Sequence, residues 1–238
     1  MDKANVAMAL RETADRLRIY GETNVFRIRA YKKAADKVDA MTDLTDLTGF
    51  GKSMQSAIVT LNSTGKLPVL EQLRAETVLP KRYPYAEAKK LADAVVAAVR
   101  EKFPAARVEV AGSLRRGKDP RDIDILVAYD GDPNQVTRFF RTLGPALDVG
   151  EKSTAVTMDG IKVEMRAVPL KSFGAGMLFF TGSADFNIRI RGIAKRKGWK
   201  LSRYSLHDAK TEVPIASETE KEILDLLGVP WTEPKDRI

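Results

Sequence analysis

The chain has 238 residues, enough for one large domain or a medium domain with a small one, and 44% of them are apolar, ample for a core. Its 40 Lys and Arg against 32 Asp and Glu give a formal charge of +8 and a pI near 9.6, a balance that favours a polyanionic partner, nucleic acid first. Cysteine is absent and histidine occurs once, at His207, which excludes disulfides, thiolate metal sites and multi-histidine zinc sites and makes a Ser-His triad a poor fit.

Residues 4–20 read as an amphipathic helix in which Val6, Leu10, Leu17 and Tyr20 recur at helical spacing. Gly21 ends it in the position of a left-handed cap. A second helix runs from about Asn24 to Val38, with Arg27, Arg29, Lys32, Lys33 and Lys37 on its exposed side and few acidic partners nearby. Next comes Thr48-Gly49-Phe50-Gly51-Lys52-Ser53, followed by a helix from Met54 to Leu61. Gly-x-Gly between helices makes a tight turn and leaves backbone N–H groups at the start of the following helix, a place suited to phosphate. With Lys52 and Ser53 at its mouth, the segment reads as a helix-hairpin-helix grip on a DNA backbone, with a plain turn as the alternative. Such contacts position a duplex without reading its sequence.

Two prolines and a composition shift over residues 74–86 mark a boundary. A long helix over 86–102 follows and stops at Pro104, and then come strands over 107–112 and 121–129 around the stretch Gly112-Ser113-Leu114-Arg115-Arg116-Gly117. Residues two apart on a strand share a face, so Asp122 and Asp124 project together while Ile123 and Ile125 face a core. Paired carboxylates repel unless a cation lies between them. Hard divalent cations such as Mg²⁺ take oxygen ligands and arrive with substrate phosphates, for which Gly112-Ser113 and the two arginines supply donors. A surface hairpin with solvated acids is the competing reading.

A helix over 134–143 leads to strands at 153–158 and 161–168, joined by Asp159-Gly160, a favoured two-residue hairpin turn. Glu164 and Arg166 share a face opposite Val163, Met165 and Ala167. If this strand lies beside 121–127, Glu164 becomes the third carboxylate that a two-metal site needs; an ion pair with Arg166 is the alternative. Residues 172–197 read as two helices interrupted by Phe179-Phe180-Thr181-Gly182-Ser183, where Thr-Gly-Ser ends one and caps the next. The second carries Asn187, Arg189, Arg191, Lys195, Arg196 and Lys197. Trp199 to Val213 reads as a small hairpin with His207 in its loop, and Glu218 to Leu227 as a terminal helix. The order implies an α+β sheet with helices on one face. With no long apolar run and no signal-peptide pattern, the expectation is a cytoplasmic protein without a membrane partner.

Several of these pieces, in this order, resemble the DNA polymerase X family, the polymerase beta-like group: Gly112 to Gly117 with Asp122-Ile123-Asp124, Val163-Glu164-Met165-Arg166, and Phe179 to Ser183 with Asn187 and Arg191. Arg82-Tyr83-Pro84, the Thr48 to Ser53 hairpin and Ala30-Tyr31-Lys32-Lys33-Ala34-Ala35 also match. The resemblance implies an α+β protein with a helical helix-hairpin-helix domain over 1–75, a linker over 76–84, a nucleotidyltransferase palm with a mixed sheet over 85–170, and a nucleotide-selection subdomain over 171–238. It implies that Asp122 and Asp124 hold two Mg²⁺ ions, with Mn²⁺ as a substitute, and that Glu164 holds the catalytic ion and helps to deprotonate the primer 3′-hydroxyl. Ser113, Arg116 and Arg82 would contact the triphosphate of a dNTP, with Gly112 permitting close approach. Phe179, Phe180 and Gly182 would pack along the sugar, Asn187 would face the base edge, and Arg191 the template. Arg166 would orient a metal ligand, and Gly49, Gly51, Lys52 and Ser53 would hold DNA phosphates.

The implied activity is addition of dNMP to gapped or primer–template DNA, by a monomer, in repair. A template-independent or end-joining transferase remains open, as does a DNA-end-binding module with a weakened site. The sequence departs from the family pattern where Glu164 replaces an aspartate, Phe179 a tyrosine and Ala184 a polar residue. Ala57 stands where the lyase lysine falls, and without an amine no Schiff base forms there. The expectation is therefore weak or absent lyase activity, in a minimal member lacking the second helix-hairpin-helix subdomain and a C-terminal phosphoesterase domain.

Overall fold

A computed structural model describes residues 2–77 and 81–237, and the chain divides into two compact units, Met1–Pro80 and Lys81–Ile238. The part of the expected linker at 78–80 lies outside the described residues.

The first unit is helical: α1 (Lys3–Tyr20), α2 (Val25–Ala40), α3 (Lys52–Thr64) and α4 (Pro68–Glu76). On α1 the expected stripe is buried through Val6, Leu10, Ala14 and Leu17, and the Gly21 N–H closes the helix on the Leu17 carbonyl. The Asn24 side chain caps α2 by accepting from the Phe26 and Arg27 amides at 3.1 and 3.2 Å. On the basic side of α2, Arg27 pairs with Glu22 at 2.8 Å, and Lys37 donates to the Gly49 carbonyl at 2.8 Å and sits over the Phe50 ring. The helix α4 is new; Pro68 at its first turn starts it, and Leu70 and Leu73 bury it. Ile58, Leu61 and Leu70 close the core with α1.

The second unit holds α5 (Tyr85–Lys102), β1 (Arg107–Val110), α6 (Gly112–Arg115), β2 (Asp122–Ala128), α7 (Pro133–Phe140), β3 (Ala146–Val149), β4 (Ser153–Met158) and β5 (Ile161–Val168). It continues through α8 (Phe173–Thr181), α9 (Ala184–Arg196), β6 (Trp199–Leu201), β7 (Leu206–Asp208), β8 (Pro214–Ala216) and α10 (Glu220–Leu227). The large sheet has the order β1-β2-β5-β4-β3, with β2 and β5 parallel and the other neighbours antiparallel. Asp159 and Gly160 both take positive φ, 49° and 75°, the geometry of the favoured tight hairpin.

Alternation on β2 and β5 sorts the core. Ile123, Ile125 and Val127 with Val163, Met165 and Ala167 form one buried face, packed with Ala92, Val95 and Val99 of α5 and Val136 and Phe140 of α7. Each fully buried aliphatic side chain there contributes about 1.5–3 kcal/mol. On the other face, Leu126, Ala128 and Val168 are covered by Phe173 and Met177 of α8. Helices therefore cover both faces, where one was expected, and the second face is covered only at one end of β2. The end that α8 leaves free carries Asp122 and Asp124, both half-buried.

Other differences are local. The stretch after β1 is a helical turn, not a hairpin loop, and β3 is an additional edge strand. Trp199 to Ala216 forms three strands, which puts His207 on β7, its Nδ1 3.2 Å from the Ser205 hydroxyl, and not in a loop. Among the described residues, no helix is long and apolar enough to cross a membrane.

Candidate active site

The parallel register of β2 and β5 places Asp122 beside Lys162, Asp124 beside Glu164 and Leu126 beside Arg166. All six side chains belong to the same sheet face, by the two-residue period of a strand. Above them runs α6, whose first residue, Gly112, has φ +62°, and a Cβ added there would collide with the Asp124 carboxylate. Only glycine combines that backbone with that approach.

Asp124 is enclosed and has like charge on both sides. Burial first, then the charges of Asp122 and Glu164, raise its pKa from 3.8 to about 7, against the opposing pull of Arg166 and Lys162. Glu164 is occupied differently. Its Oε2 accepts from Lys162 Nζ at 2.9 Å, and its Oε1 pairs with Arg166 Nη2. The hydrogen bond to Glu164 in turn raises the Lys162 pKa. The structure thus brings the three carboxylates onto adjoining strands, but the Glu164 oxygens are turned to its flanking cations. Among the described residues, no three acidic or imidazole side chains converge on one point as a ready metal cage. The donor set still suits a hard divalent ion, since Asp122 and Asp124 offer oxygen ligands on one sheet face.

The turn α6 is tied to α8 and α10 by its arginines. Arg116 Nη1 donates to the Thr181 carbonyl, its Nε is buried without a partner, and burial lowers its pKa while Asp124 raises it. Arg115 donates to the Thr181 hydroxyl at 2.7 Å and to both Glu220 oxygens at 3.0 and 2.6 Å. Arg237, fully buried, donates to Glu220 Oε1 at 2.7 Å and to the Thr232 carbonyl at 3.0 Å. Burial would push Glu220 up, but the bonds and charges of Arg115 and Arg237 hold it below the usual carboxylate range. Sequence reasoning missed this trio. Its only signal was an arginine beside Arg116 and a glutamate opening a helix. Ser113 stays half-buried, its carbonyl accepting from the Arg116 and Lys118 amides, both at 3.1 Å. Arg82 is exposed and donates to the Asp119 carbonyl at 2.8 Å, on the loop from α6 to β2.

Phe179 and Phe180 end α8, edge to face with centroids 4.9 Å apart. Gly182 then separates α8 from α9, which Ser183 caps by accepting from the Phe186 amide. Asn187 donates to the Phe179 carbonyl at 2.7 Å, and the Arg191 guanidinium lies 4.6 Å from the Phe179 ring centre. Arg166 lies 5.9 Å from the centre of Phe180, which joins this cluster to the carboxylate strands. In the separate first unit, Gly49, Gly51, Lys52 and Ser53 are exposed, and α3 starts directly after Gly51 with no side-chain cap. Its first amides are bare of a cap, as expected, while the Gly49 carbonyl is held by Lys37. Ala57 is buried.

Paired carboxylates on a mixed sheet, beneath a Gly-Ser helical turn, define a nucleotidyltransferase-type palm. Residues 82–172 match the DNA polymerase beta palm and residues 176–238 the DNA polymerase beta thumb. The chain is 31% identical over 142 residues to the "Repair DNA polymerase X" of African swine fever virus, covering 53% of the chain and 79% of that protein. It is 26% identical over 228 residues to the "DNA polymerase/3'-5' exonuclease PolX" of Bacillus subtilis, covering 92% of the chain and 37% of that protein. Against the DNA polymerase lambda of Rattus norvegicus, identity is 28% over 193 residues, 66% of the chain and 33% of that protein. The chain belongs to the DNA polymerase X family. It spans about a third of the length of the bacterial and rat relatives.

Proposed function

We propose that this chain is a DNA-directed DNA polymerase that adds dNMP from a dNTP to a primer 3′-hydroxyl on gapped or primer–template DNA, in repair. The observation that carries the reading is the β2–β5 register, which sets Asp124 beside Glu164 with Asp122 on the same face, under the Gly112 turn. Asp122, Asp124 and Glu164 would hold the divalent ions, Mg²⁺ or Mn²⁺. When bound, such ions activate the attacking oxygen and stabilise the leaving oxygen of an in-line phosphoryl transfer.

The chain's own residues do the positioning. Arg166 and Lys162 fix the Glu164 carboxylate, and its release from them is what ligation requires. Ser113, Arg116 and Arg82 contact the triphosphate, and the bare Gly112 lets it come close. Phe179, Phe180 and Gly182 pack along the sugar, Asn187 orients the Phe179 backbone and meets the base edge, and Arg191 faces the template. In the first unit, Gly49, Gly51, Lys52 and Ser53 hold a DNA backbone, and buried Ala57 leaves no amine for lyase chemistry. The same proposal divides the chain into a DNA-binding domain over 1–75, a palm over 85–170 and a nucleotide-selection subdomain over 171–238, acting as a cytoplasmic monomer.

The test is primer extension on gapped, recessed and single-stranded DNA with Mg²⁺ or Mn²⁺. Extension on gapped and recessed DNA, lost in Asp124→Ala, is expected. Extension that survives Asp124→Ala would sink the two-metal assignment, and extension only on single strands would point to a template-independent transferase.

A further inference from the structure

Among the cations on the exposed side of α2, Lys37 turns back onto the loop that leads into α3. Its Nζ donates to the Gly49 carbonyl at 2.8 Å and lies 4.8 Å from the centre of the Phe50 ring. The same ammonium acts on Asp46. Hydrogen bonds from the Thr48 hydroxyl and amide first, and then the Lys37 charge, hold that carboxyl below the usual carboxylate range. A carbonyl, a ring face and a carboxylate thus attract one ammonium, a compact point charge that suits all three.

Gly49 supplies an independent observation. Its φ is not positive, so the turn itself does not demand a glycine there. Space does: a Cβ on Gly49 would collide with the Lys37 ammonium, while nothing but the Lys37 side chain lies within 4 Å of it beyond its chain neighbours. The rest of the loop is tied in the same sense. Gln55 Nε2 donates to the Phe50 carbonyl at 2.8 Å, and the Phe50 amide to the Leu47 carbonyl at 3.0 Å. The chain's own donors therefore occupy the Leu47, Gly49 and Phe50 carbonyls. A loop whose acceptors are taken meets an anion with donors and little lone-pair repulsion.

We propose that Lys37 is a positioning residue: it fixes the 46–51 loop and occupies its carbonyl side, so that the loop grips a DNA backbone, without itself touching a phosphate. The DNA part rests on the reading of this loop as a grip on DNA; the clamp does not. A phosphate ligand on a basic helix face and an internal clamp predict different responses to salt.

The test uses the full chain and fluorescence anisotropy with a labelled DNA duplex over a series of salt concentrations, together with hydrogen exchange at the Thr48 and Phe50 amides. Lys37→Met keeps the apolar stem and removes the donor and its charge. It should weaken duplex binding about tenfold, the worth of one hydrogen bond to a charged group, speed exchange at Thr48 and Phe50, and leave the slope of log K against log salt unchanged. A direct phosphate contact would instead cut that slope by about 0.9. Gly49→Ala displaces the ammonium from the other side and should weaken binding as much as Lys37→Met. The two together should cost no more than either alone, because both break one interaction.

A slope reduced by about 0.9 in Lys37→Met, additive losses in the double variant, or exchange at the parent's rate would each overturn the proposal. So would a urea midpoint lowered in step with the affinity, which would make Lys37 a contact for the fold and not for the loop. If the parent binds no duplex, the DNA reading fails and the positioning role with it, while faster exchange in both single variants would still establish the clamp.

Discussion

Replacing Asp124 by asparagine should stabilise this protein at neutral pH when no divalent ion is present. The folded state holds the Asp124 proton up to about pH 7, whereas the ordinary value is 3.8. Its contribution to stability is therefore intact below 3.8 and is lost as the pH rises through 7, because the folded form must then carry a buried charge that the unfolded chain solvates freely. The gap between the two values corresponds to at most about 4 kcal/mol. Asparagine removes that penalty, but its amide sits half-buried and costs about 1–3 kcal/mol if unsatisfied. The net expectation is a gain of about 2 kcal/mol at pH 8, or roughly 4–8 °C in Tm for a unit of this size, and a small loss at pH 4.5. Thermal unfolding in EDTA at both pH values measures it directly. Titration with Mn²⁺ should then raise the Tm of the parent by mass action and leave the variant almost unmoved. A difference between parent and variant that does not change with pH would refute the electrostatic account of the Asp124 site.

Glu220→Gln leaves Arg115 and buried Arg237 facing a neutral amide and should cost about 3 kcal/mol; a urea midpoint equal to the parent's would show that the trio does not hold the fold. Gly112→Ala should cost about 1–2 kcal/mol for the left-handed backbone alone, and because its methyl displaces the Asp124 carboxylate it should also abolish the Mn²⁺-induced rise in Tm. Lys52→Ala, at the exposed start of α3, should reduce the salt slope of duplex binding by about 0.9, the signature of one lost phosphate contact; an unchanged slope would remove Lys52 from the DNA interface.

What could be read from the sequence divides along physical lines. Strands β4 and β5 fall at the expected residues because alternation and an Asp-Gly turn are local signals. Asp122 and Asp124 share a face by the same two-residue period. The adjacency of Glu164 depends on pairing between strands that are not consecutive, which local patterning leaves open and the register settles. Four-residue α6 has no room for a helical period to show, and β3, exposed throughout, has no alternation. The Arg115–Glu220 pair spans 105 positions, so no spacing rule could find it. Phe26, apolar and on an expected helix, is 74% exposed; hydrophobicity alone did not say which side of α2 it would take.

The active face shows why a count of charges is a poor guide. Asp122, Asp124 and Glu164 are matched one for one by Lys162, Arg166 and Arg116. Geometry undoes the balance: Lys162 and Arg166 are both spent on Glu164, and Arg116 donates to the Thr181 carbonyl. Asp122 and Asp124 are left sharing a partly covered face with no cation bonded to either among the described residues, and burial first, then the charges of Asp122 and Glu164, raise the Asp124 pKa to about 7. One end of the same face is closed by apolar side chains under α8, so the cost of that charge cannot be relieved by opening the sheet to water along its length. Under the proposed assignment, a divalent cation at this face would offset that cost, an exchange between stability and function. Glu164 adds a second condition. Its carboxylate is bonded to both neighbouring cations, so under the proposed metal assignment a divalent ion would have to compete with Lys162 and Arg166 for it.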